Sequence, residues 1–322
     1  MPPLPQQAQD ALRGLLRERG CADADTCAFE PVSGGASGRC IARCGGVLGI
    51  YWTNARADNN SFLPAAHGLA AAGLRVPAIL AETDLGNGCG ACLVQDLGTL
   101  DLLSMKHAGR AERIDAYEKA LRTLAPLYRL QPDWQMQPPF DHALYRWEQG
   151  YFAEHLLARH LGRDAAAFMN AEAPNEMARW LAELPRVPVH RDCQSQNIML
   201  HEGAAWLIDF QGMREGRWEY DLASLLYDPY MELADDERDE LLQLWLDISG
   251  QEWRADVYHA CAMQRLMQAL GAYGNIGYNQ GNAWYLDMIP PGLRALRHAA
   301  EHTPADSPAH AAAQCILSCT DC

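Results

Sequence analysis

Three oxygen-bearing side chains in this 322-residue sequence, Asp192, Asn197 and Asp209, have a spacing that suits phosphoryl transfer. Such a transfer depends on positioning and charge neutralisation, and Mg²⁺ prefers hard oxygen ligands. The Asn197 amide and the Asp209 carboxylate offer such oxygens. Asp192 precedes Asn197 by five residues, so it can face an acceptor hydroxyl and take its proton. The pattern predicts Asp192 as the catalytic base and Asn197 and Asp209 as Mg²⁺ ligands.

Two further residues of this region have predicted structural roles. His190 precedes Asp192 by two residues, and we expect its ring to brace the turn around the metal-binding aspartate. Asp221 lies where a helical pattern begins, so it can serve as the N-cap of that helix. It can also accept hydrogen bonds from backbone N–H groups of the catalytic loop. Both roles of Asp221 remain open at this point.

A glycine-rich turn lies near the amino terminus, at Ser33-Gly34-Gly35-Ala36-Ser37-Gly38-Arg39. It separates two predicted strands, and its backbone N–H groups could cover phosphates. The same pattern also fits an ordinary hairpin turn. The residues expected to contact the nucleotide phosphates are Gly34, Gly35, Ser37 and Arg39.

The elements that must position these residues begin with a small mixed lobe. Helical spacing over residues 6–19 and 58–72 predicts two helices. Apolar runs predict five strands, at 29–32, 40–43, 47–52, 78–80 and 91–95. We therefore expect residues 1–97 to form a nucleotide-binding N-lobe around a β-sheet.

After residue 97 the pattern becomes mainly helical, so we expect residues 98–302 to form a C-lobe that carries the catalytic loop and the acceptor pocket. The α+β fold class follows from these two parts. A glycine-, asparagine- and tyrosine-rich stretch at 274–282 predicts a loop, and the Ala/Pro/Ser-rich tail 303–322 is expected to be mobile. The predicted helices of the C-lobe are 110–130, 141–161, 174–184, 221–227, 235–248, 253–273 and one near 291–301.

The composition argues against several classes of protein. A net charge of -15, from 26 Lys+Arg against 41 Asp+Glu, is opposite to the basic surface of a nucleic-acid-binding protein. Residues 1–20 lack the apolar region of a signal peptide, and no run approaches the roughly 18 apolar residues of a membrane-spanning helix. We expect a cytoplasmic monomer without nucleic-acid or membrane partners.

The 11 cysteines do not follow the pattern of a small disulfide-rich scaffold, so we expect mostly free thiols in a reducing compartment. Cys89-x2-Cys92 lacks the second pair that a tight zinc site needs. Cys315-x3-Cys319-x2-Cys322 has the spacing of an iron–sulfur motif, but it closes a tail instead of following the first strand of a barrel. Neither cluster predicts a metal site.

The catalytic stretch resembles the aminoglycoside phosphotransferase and choline kinase superfamily, and within it the bacterial sugar kinases that phosphorylate the anomeric hydroxyl of N-acetylmuramate and N-acetylglucosamine. The resemblance implies a two-lobed protein-kinase-like fold, with ATP and Mg²⁺ as cofactors in the cleft between the lobes. Adenine would then bind near Gln95, Asp96 and Leu97. The motifs that carry the resemblance are His190-Arg191-Asp192…Asn197, Asp209-Phe210-Gln211, Tyr220-Asp221-Leu222-Ala223-Ser224-Leu225-Leu226 with Asp228, Pro139-Phe140-Asp141 with Leu144-Tyr145-Arg146-Trp147-Glu148, and Gln95-Asp96-Leu97-Gly98.

One departure from this pattern concerns the cation that binds the phosphates. Protein kinases and most aminoglycoside kinases pair a Lys on the third strand with a Glu on the following helix. This chain has no Lys before Lys106 and no Glu between Glu30 and Glu82. The candidates for the missing cation are Arg39, Arg43 and Arg56.

The acceptor pocket is expected beside Asp192 in the helical lobe. Aromatic rings there could stack on a sugar, although the same residues also fit a hydrophobic core. The aromatic candidates are Trp147, Trp218, Tyr227, Tyr230 and Tyr273. The predicted substrate contacts are Trp147 and four polar residues, Glu148, Gln211, Asp228 and Asn275.

Three functions remain open from the sequence. The first is an ATP- and Mg²⁺-dependent kinase that makes a sugar 1-phosphate. The second is an aminoglycoside phosphotransferase, which the carboxylates near the site favour because they would attract a polycation. The third is a nucleotide-binding pseudokinase, which the absent Lys–Glu pair favours. A protein kinase fits less well, because no Ala-Pro-Glu segment follows Asp209.

Overall fold

The computed structural model of the protein describes residues 4–32 and 38–321, which divide into two compact units. Unit 1 contains the described residues up to Leu100, together with Gln131–Gln137 and Ile198–Met213. Unit 2 contains Asp101–Leu130, Pro138–Asn197 and the chain from Arg214 onward. Two segments of unit 1 therefore come from the range that was predicted as the C-lobe.

The bounds of the regular elements follow the chain. The strands are β1 (Glu30–Pro31), β2 (Cys40–Cys44), β3 (Val47–Trp52), β4 (Ile79–Gly86), β5 (Cys89–Gln95), β6 (Val187–Val189), β7 (Ile198–His201), β8 (Ala204–Leu207) and β9 (Arg214–Gly216). The helices are α1 (Gln6–Glu18), α2 (Phe62–Ala71), α3 (Arg110–Leu124), α4 (His142–Phe152), α5 (Ala165–Asn170), α6 (Glu172–Glu183), α7 (Trp218–Leu226), α8 (Asp235–Ser249), α9 (Ala255–Asn279), α10 (Trp284–Asp287), α11 (Ile289–Glu301) and α12 (His310–Thr320).

Unit 1 is built on a five-stranded antiparallel sheet with the strand order β1-β2-β3-β5-β4. Gly45 and Gly46 form the turn between β2 and β3, with φ angles of 59° and 80° that suit glycine. Helix α1 covers the sheet with a buried apolar face. A Cβ at Gly49 of β3 would lie 2.7 Å from Leu12 Cδ1, so the glycine permits this close packing. The five predicted strands and the first helix are confirmed.

A second hairpin, β7–β8, belongs to the same unit. Its turn contains Glu202 and Gly203, both with positive φ. Two backbone hydrogen bonds connect the hairpin to the rest of unit 1: Leu207 N–H donates to Arg75 O (2.9 Å), and Leu200 N–H donates to Leu100 O (2.8 Å). Asn197 comes directly before β7, and Asp209 comes two residues after β8.

Helix α9 forms the centre of unit 2, where α4, α7 and α11 pack against it. The sequence predicted that this helix ends before Gly274, but it continues to Asn279. The prediction is wrong because these glycines permit close packing and do not stop the helix. A Cβ at Gly274 would lie 2.3 Å from His155 O, and a Cβ at Gly277 would lie 2.2 Å from Leu286 Cδ2.

The expected mobile tail is also wrong for the part of it that the structure describes. Residues 310–320 form α12, which packs against α6 and α11. Ala312, Ala313 and Ile316 are buried in this contact. Small side chains at spacings of three and four residues form an apolar face, which is sufficient for packing despite the alanine-rich composition.

The described cysteines are mostly free, as expected, with eight unpaired thiols. The exception is a disulfide in unit 1 between Cys27 and Cys44, whose Cα atoms are 6.0 Å apart. Within residues 4–32 and 38–321, no helix combines the length and the apolar character needed to cross a membrane.

Candidate active site

The catalytic loop of unit 2 follows β6 and runs from His190 to Asn197, and its last three residues form a 3₁₀ turn. The fully buried Asp221 of α7 accepts hydrogen bonds from two of its backbone groups, His190 N–H (2.6 Å) and Arg191 N–H (2.8 Å). Arg191 has a φ of 76°, a conformation that needs such support in a non-glycine residue. Arg217, and not Asp221, is the N-cap of α7, so the N-cap interpretation of Asp221 is wrong.

A second buried carboxylate supports the far end of the loop. Asp228 accepts Ser195 N–H through one oxygen (2.8 Å) and Tyr230 N–H through the other (2.9 Å). Burial raises the pKa of this carboxyl. The sequence had placed Asp228 among the substrate contacts, but its burial and its two backbone partners make it a support of the loop. Asp221 and Asp228 are seven residues apart, so α7 and its end hold the loop on both sides of Asp192.

Asp192 itself is half-exposed, with 41% of its side chain accessible. Its Oδ1 accepts a hydrogen bond from the Arg265 guanidinium of α9 at 2.8 Å. Its carbonyl oxygen accepts the Asn197 amide N–H at 2.9 Å. Since the amide nitrogen of Asn197 is used inside the loop, its amide oxygen is the atom that can ligate a cation. His190 is buried beside Asp221, which agrees with a structural position.

Arg265 was not identified from the sequence. Its side chain is only 8% exposed, and its Nε donates to Ser224 Oγ at 2.9 Å while a second nitrogen donates to Gln268 Oε1. This network fixes the guanidinium against the catalytic carboxylate. An arginine within a long, otherwise mostly apolar stretch of α9 was the available signal, because a buried charge requires a partner.

The other predicted substrate contacts in unit 2 have different surroundings. Glu148 is fully buried and accepts hydrogen bonds from Tyr220 OH (2.9 Å) and Gln264 Nε2 (3.0 Å), so it connects α4, α7 and α9. Asn275 donates to Tyr151 OH at 2.8 Å. Trp147 is 53% exposed and stacks on Tyr151 with centroids 5.1 Å apart. Burial raises the pKa of Glu148, and a substrate role for this residue does not fit its position.

The aromatic candidates divide into core and cluster residues. Trp218 and Tyr227 are buried in the core. Tyr230 and Tyr273 belong to a ring cluster that we call the aromatic platform, formed by Tyr230, Tyr273, Trp284 and Tyr285. Trp284 and Tyr285 were missed by the sequence analysis. Two adjacent aromatic residues, one residue after the Gly281-Asn282 segment, were the signal that could have identified them.

In unit 1, Asp209 has a left-handed backbone conformation, with φ 63° and ψ 34°. Its Oδ1 accepts Gln211 Nε2 at 3.2 Å and is also in contact with an Arg39 nitrogen. The Arg39 guanidinium lies over the Phe62 ring at 5.4 Å, and Phe62 stacks on Phe210. Gln211 is buried and orients Asp209, so its predicted contact with substrate does not fit this position.

The three candidate cations have different partners. Arg43 pairs with Asp96 and also donates to Gly98 O at 3.1 Å, and the arginine lowers the pKa of the Asp96 carboxyl. Arg56 pairs with Asp58 at 2.7 Å. Arg39 contacts Asp209, a predicted metal ligand.

The structure describes only some of the residues predicted to contact adenine and the phosphates. Gln95 N–H donates to Ala78 O at 2.9 Å, and Leu97 is buried. Adenine binding near Gln95, Asp96 and Leu97 stays a prediction. Gly34, Gly35 and Ser37 lie outside the described residues.

The donor chemistry fits Mg²⁺. Within the described residues, no group of three or more His, Cys, Asp or Glu side chains could hold a metal ion. Mg²⁺ needs no such group, since it keeps several waters and commonly binds one or two protein oxygens together with substrate phosphates. One amide oxygen on Asn197 and one carboxylate on Asp209 match that requirement.

Residues 31–257 match the family model described as "Phosphotransferase enzyme family". The chain belongs to this family. An N-acetylmuramate/N-acetylglucosamine kinase of Pseudomonas aeruginosa is 30% identical over 266 residues, which cover 77% of this chain and 75% of the relative. A kinase of the same name from Neisseria meningitidis serogroup B is 26% identical over 253 residues, with 74% of each chain covered. The protein is a phosphotransferase, as the sequence predicted.

Solved structures of the phosphotransferase family show the same fold. A choline/ethanolamine kinase family protein from Mesorhizobium loti superposes with a TM-score of 0.61 at 14% identity, covering 97% of this chain and 98% of the other. The aminoglycoside phosphotransferase APH(3'')-Id from Streptomyces rimosus, in complex with ADP and streptomycin, has a TM-score of 0.56 at 16% identity, covering 80% and 98%. The predicted α+β, protein-kinase-like fold class is confirmed.

The buried Asp221 gives a prediction for the pH dependence of stability. Burial raises the pKa of its carboxyl from 3.8 to about 6, against the opposing effects of the His190 charge and the N–H donors. A folded-state pKa above the unfolded value means that the stability from this group is lost as the pH rises from about 4 through about 6. Relative to Asp221→Asn, the wild-type free energy of unfolding should fall over this range, by at most about 3 kcal/mol.

Urea denaturation of both proteins between pH 4 and pH 7 measures this difference. A difference between the two free energies that stays constant across the range would contradict the assignment.

Proposed function

We propose that this phosphotransferase uses ATP and Mg²⁺ to phosphorylate the anomeric hydroxyl of N-acetylmuramate or N-acetylglucosamine. The observation that carries the proposal is the half-exposed carboxylate of Asp192, held on a loop whose backbone is supported by two buried aspartates. The kinases named for these amino sugars, at 26% and 30% identity, support the choice of acceptor.

In the proposed reaction Asp192 receives the acceptor proton while the phosphoryl group transfers. The Asn197 amide oxygen and the Asp209 carboxylate would hold Mg²⁺, which neutralises phosphate charge when bound. Gln211 orients the Asp209 carboxylate, and Asp221 and Asp228 keep the Asp192 loop in place. The protein thus contributes positioning and fixed charge, the two requirements of phosphoryl transfer.

The burial of two acidic residues favours an amino sugar over an aminoglycoside. Acidic residues near the site were the feature of the sequence that supported a polycationic acceptor. Glu148 and Asp228 are buried, and each accepts hydrogen bonds from groups of the protein. They are not available to a polycation, whereas a neutral or anionic sugar does not require them.

Arg39 is the proposed replacement for the absent lysine. It lies beside Asp209, and its guanidinium over Phe62 is positioned by an aromatic stack within unit 1. An arginine can contact phosphate oxygens in a bidentate manner, so it can replace the charge of a lysine with a different geometry. This assignment disfavours the pseudokinase alternative, because Arg39 would supply the cation that the phosphates need.

The acceptor is tested by ADP release with Mg²⁺-ATP and a panel of N-acetylglucosamine, N-acetylmuramate, kanamycin and choline. We expect turnover with one or both amino sugars. Methyl N-acetyl-β-glucosaminide, which has no free anomeric hydroxyl, should not be phosphorylated, and ³¹P NMR of the product should show a 1-phosphate. Turnover of kanamycin alone would reject the amino-sugar assignment.

The role of Asp192 is tested by Asp192→Asn, which keeps the shape of the side chain and removes the base. General acid–base catalysis is worth about 10²–10⁴-fold, so kcat should fall by at least about 100-fold while ATP affinity remains nearly unchanged. Asp115→Asn, an exposed aspartate paired with Lys119 on α3, is the control and should retain wild-type kcat. Near-normal turnover of Asp192→Asn would show that another group takes the proton.

The role of Arg39 is tested by nucleotide titration calorimetry on Arg39→Gln and Arg39→Lys. A hydrogen bond to a charged group contributes about 1.5–3 kcal/mol, so Arg39→Gln should weaken ATP binding by about tenfold or more. Arg39→Lys should recover part of the loss. Arg56→Gln should bind as the wild type does, and weaker binding for that variant alone would transfer the role to Arg56.

A further inference from the structure

The aromatic platform of unit 2 contains one exposed ring. Tyr230 and Trp284 have ring centroids 5.2 Å apart, Trp284 and Tyr285 are 5.0 Å apart, and Tyr273 and Tyr285 are 5.9 Å apart. Tyr230 and Tyr273 are buried, but Trp284 of the short helix α10 is 41% exposed. Tyr230 and Tyr285 therefore flank a tryptophan side chain that remains partly accessible to solvent.

A hydrogen-bond bridge connects this platform to the catalytic loop. Asp228 accepts both Ser195 N–H, three residues after Asp192, and Tyr230 N–H, at 2.8 and 2.9 Å. One buried carboxylate thus holds the backbone of the loop and the backbone of the first residue of the platform. The Asp192 charge also acts on the platform: burial first, and then this charge, raise the pKa of Tyr285.

Trp284 differs from the core aromatics in how much of its side chain is exposed. A core aromatic buries both faces, as Trp245 and Phe152 do in this unit. A large exposed aromatic residue has a free-energy cost that is recovered when an apolar surface covers it. The C–H face of a pyranose ring is such a surface, and its hydroxyls remain free to reach polar groups at the ring edge.

We propose that Trp284, supported by Tyr230 and Tyr285, is the stacking surface for the pyranose ring of the acceptor. The inference rests on the proposed sugar-kinase function and adds the residues that recognise the sugar. The platform and the catalytic loop share the Asp228 carboxylate, which accepts Tyr230 N–H and Ser195 N–H, so we expect a ring stacked on Trp284 to lie near the loop. Trp284 is then a specificity residue for cyclic sugars, and an acyclic acceptor of similar polarity gains nothing from it.

The experiment compares Trp284→Ala, Trp284→Phe and the control Tyr278→Ala. Tyr278 is also an exposed aromatic residue of unit 2, but it pairs with His160 at 2.7 Å and lies outside the platform. Steady-state kinetics on the accepted amino sugar give KM for the sugar and KM for ATP separately. Trp284→Ala should raise the sugar KM by about tenfold or more and leave the ATP KM unchanged.

Trp284→Phe retains an aromatic face and should restore at least half of the lost affinity on a logarithmic scale. Tyr278→Ala should have the wild-type sugar KM. Since Trp284 is exposed, its substitution should leave the thermal midpoint within a few degrees of the wild-type value, which separates lost stacking from lost structure.

The two levels of the proposal fail in different ways. Wild-type turnover of an amino sugar with an unchanged sugar KM in Trp284→Ala overturns the stacking surface and leaves the proposed function intact. An equal rise of both KM values also overturns it, because that result indicates a general defect. A wild-type protein that turns over neither amino sugar overturns the proposed function and, with it, this inference.

Discussion

Two buried carboxylates of unit 2 maintain the geometry on which the catalytic loop depends. Asp221 and Asp228 each accept two backbone N–H groups, and three of these four belong to the loop that carries Asp192. A buried charge has a large desolvation cost, and several hydrogen bonds from N–H groups offset it. The loop therefore keeps its shape only while α7 is in place, so folding of the helix and formation of the loop depend on each other.

The same principle explains why the residues of the catalytic set occupy unfavourable backbone conformations. Arg191 and Asp209 both have positive φ, which costs free energy in residues with a Cβ. Each is stabilised by contacts around it. The Arg191 N–H donates a hydrogen bond to Asp221, and Asp209 is in contact with Gln211 and Arg39. Arg265 adds a fixed cation that orients the Asp192 carboxylate.

Unit 1 lacks the lysine–glutamate pair that is typical of related kinases. Arg39, the proposed replacement for the lysine, packs against an aromatic stack instead of pairing with a glutamate of the following helix. Arg39 lies over Phe62, which stacks on Phe210, the residue directly after Asp209. A guanidinium is planar and weakly hydrated, so it can rest against aromatic rings in a way that an ammonium group does less well. The cation and the proposed metal ligand are thus positioned by one packed group of side chains.

Much of this arrangement follows from the sequence. The His190–Asp192–Asn197 spacing, the five strands with the Gly45-Gly46 turn and the apolar face of α1 are local patterns, and local patterns can be read along the chain.

The tertiary structure decided matters that depend on distant partners. It made Glu148 and Asp228 buried supports and left Trp284 exposed, because burial is set by which helices pack together. It extended α9 through Gly274, since a glycine that stops a helix and one that permits close packing have the same sequence signal. It favoured Arg39 as the proposed phosphate-binding cation, because its contact with Asp209 depends on the fold and cannot be read along the chain. Composition and spacing determine which chemistry is possible, whereas packing determines which of several identical side chains can perform it.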